Sequence, residues 1–344
     1  MNGTTDYDET IYYEVVPRDN LEPALWMESD RLGFPVLADI ALQTERAIVK
    51  NERRERREIH PLGGADEVSF KRLFPAPHPY FGMVIGEQTD LDKLTLDEAK
   101  AFFRKYYDPR NAMLILSGDF DKVAATALVK KFFGTLKSHG QDNIPPVQKT
   151  TPITQEIVIK HQDPLLKKPV LLLRWHTPPL CSSEVLAAEI LARLLTRGSQ
   201  WRLDKLSFLW PGQNLFFSVR QDSHRLLSVF NIELRAKDQW PLELAKAVVT
   251  QELQTLAEKG VVETELMAVK KRFVNNWLSQ LQSPLAKAHL LSHAMVCYGD
   301  PAPRTLAQVE GVRSEDLQKF VKTYLGINQR VVLYGQPESQ EAQK

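Results

Sequence analysis

A helix that ends in tyrosine, a short turn and a strand that ends in glycine occur twice in this chain. The first copy runs over residues 96–107, 108–111 and 112–118, and the second over 314–324, 325–329 and 330–335. A pattern repeated at this distance points to an internally duplicated architecture. The remaining segments fit that reading, because apolar runs with period two alternate with longer runs of helical period. The expectation is an α+β chain of two related subdomains, each a mainly antiparallel sheet covered by helices on one face. The boundaries predicted are 1–136 for the first subdomain, 137–152 for a polar, Pro-containing linker, 153–336 for the second subdomain and 337–344 for a polar tail.

In the first subdomain the spacing predicts a strand over 10–16, a helix over 21–32 with Asn20 as N-cap, and a second helix over 36–58 whose last turns lack an apolar stripe. A short helix near 66–74 follows, then a proline-rich irregular stretch. Thr95 and Glu98 form a capping box for the helix over 96–107, ahead of a strand over 112–118 and a helix over 121–136. In the second subdomain strands are predicted at 156–160, 169–175, 215–220, 226–234 and 330–335, and helices at 182–195, 241–259, 264–282, 285–298 and 314–325.

Composition excludes several functions. The formal charge of +1 in 344 residues supplies no field for nucleic acid, and no apolar run approaches the ~20 residues of a membrane-spanning helix. Cys181 and Cys297 belong to no C-x-x-C pair, so no thiolate metal site is indicated, and one bridge between them stays open.

The residues that can carry chemistry lie mainly on the second helix. Glu45 and Glu52 are seven apart, and seven steps of about 100° bring them within about 20° of one face, two turns apart. Two carboxylates on one helix face can form one wall of a zinc site, one as ligand and one orienting the shell around it. The same spacing also fits a plain solvated face with a Glu52–Arg56 pair. His289 and His293 stand at i,i+4 but lack the glutamate of His-Glu-x-x-His, which favours two packed histidines, and His78 reads as a loop hydrogen-bonding residue. Arg53, Arg54, Arg56 and Arg57 alternate with Glu55 and Glu58, as a solvated helix end does.

Several segments, in order, resemble the insulinase/pitrilysin family of zinc peptidases. Residues 2–13 look like its Asn-Ala-x-Thr-x-x-Asp-x-Thr-x-Tyr-Tyr strand, and 45–52 look like its Glu-x-x-x-Val-x-x-Glu helix. His78-Pro79-Tyr80, residues 102–120 and Gly198-Ser199-Gln200-Trp201-Arg202-Leu203 match further pieces. The resemblance implies metal-assisted peptide-bond hydrolysis, with zinc as cofactor, Glu52 as the distal metal ligand and Glu45 as the acid behind it. It also implies that Asn2, Gly3, Thr4 and Thr5 form an edge strand whose backbone binds a peptide or unfolded polypeptide. Two departures stand out. No His-x-x-Glu-His occurs, so the general base and two zinc ligands are missing, and the first subdomain is expected to be truncated at its front, where any leader peptide would also lie. The Arg and Tyr that many members place seven apart after the Ser-Arg-Leu turn are here Ser207 and Asn214. The chain is therefore expected to be catalytically incomplete alone and to act with a second peptidase-like half or as an oligomer. The alternative is a non-catalytic partner or scaffold subunit of such a pair.

Overall fold

The computed structural model describes residues 1–138, 150–197, 202–203, 216–235, 242–300 and 306–338. Most of the expected linker, the 198–201 turn, Ser207, Asn214 and most of the tail lie outside the described residues. The chain forms two compact units: Met1–Glu52 with Val84–Val147 and Ser279–Pro303, and Arg53–Met83 with Gln148–Leu278 and Arg304–Lys344. Residues 53–83, which precede the expected linker, thus fold with the second unit.

The second unit is built on a five-stranded sheet of β3 (Ile157–Asp163), β4 (Val170–Thr177), β5 (Phe216–Asp222), β6 (Ser228–Arg235) and β7 (Arg330–Pro337), in the order β3-β7-β4-β6-β5. Only β3 and β7 run parallel, with Ile159 opposite Leu333; Leu173 of β4 sits opposite Val332 on one side and Ile232 on the other. β4 is buried along almost its whole length because both sheet faces are covered. One face, through Leu171, Leu173 and Trp175, meets the helices Val185–Arg197, Leu242–Lys259, Glu263–Gln280 and Ser314–Tyr324 in a core that includes Leu191, Val249, Leu266 and Phe320. Each such fully buried side chain contributes about 1.5–3 kcal/mol of transfer free energy.

The opposite face receives a helix from much earlier in the sequence, Gly63–Leu73, preceded by Leu62. Leu62 and Ala65 pack on Val170, Leu172, Leu166 and Leu333. Leu62 is left-handed, with φ of 69°, an uncommon state for a leucine, and its N–H donates to the buried Asp163 carboxylate at 2.7 Å. A Cβ on Gly63 would stand 2.2 Å from the Arg57 carbonyl oxygen, so the start of this helix admits only glycine.

In the first unit, β1 (Asn2–Thr5) and β2 (Thr10–Tyr13) form a two-stranded antiparallel hairpin with Asn2 opposite Tyr13. The helices of this unit among the described residues are α1 (Leu21–Gly33), α2 (Asp39–Arg53), Gln88–Lys93, Leu96–Tyr106, Lys122–Phe133 and Pro284–Tyr298. The capping box is present: Thr95 Oγ1 accepts from the Glu98 N–H at 3.3 Å, and Glu98 Oε2 accepts from the Thr95 N–H at 2.8 Å. Asn20, by contrast, makes no side-chain cap bond. The strand expected over 112–118 does not form: the segment belongs to no ladder among the described residues, and Met113 and Leu114 are exposed. The buried apolar residues of this unit, among those described, are Leu25, Ala125 and Ala294, while Val36 is 86% and Ile40 75% exposed.

Candidate functional site

Both acids singled out in the sequence fall on α2. The helix starts with Asp39 in its first turn, where a carboxylate favours the helix dipole, and it carries Glu45 and Glu52 two turns apart. Glu45 is exposed and Glu52 half-buried. Beyond Arg53 the helix widens into one π-helical turn, Arg54–Glu58, a form that clusters at functional sites. Arg53 is not a solvated helix end: it is buried, with Nη2 3.0 Å from Glu67 and Nη1 3.4 Å from Glu58, and Glu67 also meets Lys71 at 2.9 Å. Part of the basic run therefore serves as a structural anchor within the second unit.

β1 carries Asn2, Gly3, Thr4 and Thr5, all exposed, and β2 is its ladder partner. Behind the hairpin, Tyr12 and Tyr107 share a hydroxyl contact of 2.8 Å, and Arg31 lies 4.8 Å over the Tyr12 ring. Burial, with the Tyr12 hydroxyl next, pushes Tyr107 up to about 12. His289 stacks edge-on against Tyr13 at 5.8 Å, as a packed histidine does, and His293 is partly buried on the same helix. Neither cysteine is a free thiol.

A catalytic zinc takes three protein ligands. Among the described residues no group of three His, Cys, Asp or Glu side chains is placed to hold a metal, so two carboxylates on α2 do not form a zinc site by themselves.

The structure also builds a polar seam that the sequence reading missed. Along β4, Val170, Leu172, Arg174 and His176 share the outer face. Arg174, 3% exposed, donates to Asn231 at 3.1 Å and is bonded to Asp66 and Ser69 of the covering helix, with its guanidinium 4.9 Å over Phe70. Next along the face, His176 Nε2 donates to the Leu73 carbonyl at 2.8 Å. His78 is the loop residue expected, its Nδ1 accepting from the Tyr80 N–H at 3.0 Å. The signal was a charged residue inside an otherwise apolar strand, which marks a covered polar face rather than an exposed one. A second buried ion pair joins Arg202 to Glu265, 2.6 and 2.9 Å, and to Glu252, 2.7 Å.

With this geometry in place, the sequence profile of the Peptidase M16 inactive domain matches residues 93–273, more than half of the chain. The chain belongs to the M16 peptidases, the insulinase/pitrilysin family of zinc proteases. It is 26% identical over 309 residues to the zinc protease PqqE of Helicobacter pylori, covering 86% of this chain and 66% of that relative. It is 22% identical over 331 residues to an uncharacterized zinc protease of Rickettsia felis, covering 92% of this chain and 75% of the relative. The chain thus spans about two thirds to three quarters of those relatives. In fold it superposes on a protease from Helicobacter pylori with a TM-score of 0.82 at 24% identity, over 93% of this chain and 78% of the other. The first half of the periplasmic protease PqqL from Escherichia coli gives 0.77 at 17% identity, over 97% and 74%. Against the whole of PqqL the chain covers 39% of the length.

Proposed function

We propose that the chain works in zinc-dependent endoproteolysis of the M16 type, that it is incomplete alone, and that it acts when a further peptidase-like segment supplies the His-x-x-Glu-His helix. The observation that carries this reading is α2, a single helix over both Glu45 and Glu52. Glu52 would contribute one oxygen ligand to zinc, Glu45 would orient the shell behind it, and β1 would receive the peptide along its backbone. The two-subdomain division at residues 137–152 belongs to the same reading.

The small amount of sheet among the described residues of the first unit supports the need for a partner. A two-stranded hairpin is marginal by itself, and residues 112–117 leave Met113 and Leu114 exposed. In the second copy of the motif the matching strand, β7, lies between β3 and β4. Two further strands beside residues 112–117 would finish the first unit in the same way.

The alternative, a scaffold half without chemistry, is favoured by one observation: the profile that matches is that of the inactive domain. Zinc stoichiometry and hydrolysis of a quenched fluorescent peptide separate the two, measured on the chain alone and after co-expression with an M16 segment bearing His-x-x-Glu-His. The peptidase reading expects zinc and hydrolysis only in the reconstituted pair, both lost in Glu52→Gln. Retention of zinc and activity by Glu52→Gln in that pair would support the scaffold reading; tight stoichiometric zinc and hydrolysis by the chain alone would refute its incompleteness.

A further inference from the structure

Three imidazoles in the second unit have no part in the proposed zinc chemistry, and they meet at one place. His176 projects from β4, His78 from the loop that follows the helix Gly63–Leu73, and His224 from the turn between β5 and β6. Phe74 and Tyr80 complete the cluster. The ring of Phe74 lies 4.9 Å from His78, 5.2 Å from His176 and 5.3 Å from Tyr80, and Tyr80 is 5.1 Å from His78 and 5.6 Å from His224. Phe74 and Tyr80 are fully buried, and His78 and His224 are each 7% exposed.

The hydrogen bonds define the state of the rings. His176 Nε2 must carry a proton to donate to the Leu73 carbonyl, and His78 Nδ1 must lack one to accept from the Tyr80 N–H. His78 Nε2 is buried with no hydrogen-bond partner, so a second proton on that ring would place a cation where nothing receives it. The loop is tied to the β5–β6 turn where Tyr80 Oη accepts from the Leu226 N–H at 2.9 Å, and that turn is itself held by the His224 carbonyl, which accepts from the Leu180 N–H at 2.8 Å.

The charged groups on the surrounding elements do not favour imidazolium. Arg72 ends the helix Gly63–Leu73 and Arg225 follows His224. Arg174, with Asp66 bound to it, precedes His176 on the same face, and Asp222 is held by Arg220 and Asn231. Burial holds His78 below its ordinary range; burial, partly offset by the Leu73 carbonyl and reinforced by His78, takes His176 down to about 4.

We propose that this cluster is an acid-sensitive latch. At neutral pH the neutral rings hold residues 73–80 down on the outer face of the sheet, and protonation of His176 and His78 releases that segment while the helical core on the other face stays folded. The sign follows from linkage. Imidazoles with lowered affinity for protons in the closed state bind fewer protons than in the open state, so closure weakens as pH falls below the ordinary value of about 6.5, and continues to weaken down to about 4. For His176 alone this raises the opening equilibrium about 50-fold between pH 7 and pH 4.5.

Hydrogen exchange read by mass spectrometry, corrected for intrinsic pH dependence, tests the latch on the whole chain. Peptides covering 73–81 should lose protection by an order of magnitude or more between pH 7 and 4.5, while peptides of Val185–Arg197 and Leu242–Lys259 keep theirs. His176→Gln, which can still donate to the Leu73 carbonyl, should remove most of that pH dependence. His78→Asn, which can accept from the Tyr80 N–H as in an Asx turn, should remove part of it and serves if the first variant misfolds. Protection of 73–81 unchanged at pH 4.5, loss in step with the helices, or an unaltered profile in a folded His176→Gln protein would each overturn the proposal.

Discussion

Replacing Asp163 by alanine removes one of the groups that tie residues 53–83 to the sheet, the one at the start of the covering helix. Its carboxylate, 6% exposed, accepts from the Leu62 N–H at 2.7 Å and from the Leu165 N–H at 2.8 Å. The first donor is buried, and stranding it costs about 1–3 kcal/mol; the second is partly exposed and water recovers some of its bond, so about 0.5–1.5 kcal/mol is the fitting figure there. The sum is about 3 kcal/mol. Leu62 sits in the left-handed region only while that bond and its packing hold it, so relaxation of this residue should follow. For a unit of this size each kcal/mol moves the melting temperature by about 2–4 °C, giving a drop of about 6–12 °C. Asp163→Asn, which retains one acceptor oxygen, should lose about half as much. Thermal and urea unfolding followed by circular dichroism measures both, and limited proteolysis should cut Asp163→Ala within 54–64 before the rest of the unit opens. If Asp163→Ala stays within 1 kcal/mol of the parent and this stretch remains resistant, the tie has no part in holding the outer face.

Two further perturbations probe neighbouring features. Arg202→Met leaves Glu265, 4% exposed, without its bidentate partner, and should destabilise the second unit by about 3–5 kcal/mol, measured by urea unfolding; restoring neutrality with Glu265→Gln in the same chain should recover part of it. Gly63→Ala drives a methyl into the Arg57 carbonyl and should lower stability by more than 1 kcal/mol, whereas Gly64→Ala, whose Cβ would meet nothing nearer than 3.8 Å, should be neutral or slightly stabilising.

The six-residue helices Gln88–Lys93 and Leu306–Gly311, too short to show a period, were not legible in the sequence, whereas the longer helices were, to within a few residues, where apolar spacing and caps agree, as Thr95 with Glu98 shows. The same holds for the alternating strands of the second unit. The strand predicted over 112–118 does not form among the described residues, because a strand exists only with a partner and none lies beside this segment there. Pairing is a property of two segments, and local composition reports one. The helix expected near 66–74 begins earlier, at Gly63, although Gly63 and Gly64 are residues that weaken helices. Their use, allowing helix and carbonyl to touch and carrying Leu62 onto the far face of the sheet, depends on contacts a hundred residues away. Arg53 was hidden for a related reason, since Glu67 lies outside the window in which ion pairs along one helix can be seen. Of the candidate site, the placing of Glu45 and Glu52 on one helix was legible; the π-helical turn after them was not, because its residues suit an ordinary helix equally well.

The position of β7 sets an order of events during synthesis. β3 and β4 are neighbours in sequence yet do not pair with each other; the space between them belongs to a strand made more than a hundred residues later. While the ribosome is still producing the helices in between, β3 has no parallel partner and β4 has one side bare, each an open template for another chain. A sheet that closes from its middle must form its central long-range contact late, which slows folding and prolongs exposure of Val170–Thr177, a strand buried along almost its whole length in the finished sheet. Nascent chains halted before Arg330 should therefore draw chaperones far more strongly than finished ones, and deletion of 330–337 should produce aggregation rather than a smaller soluble domain.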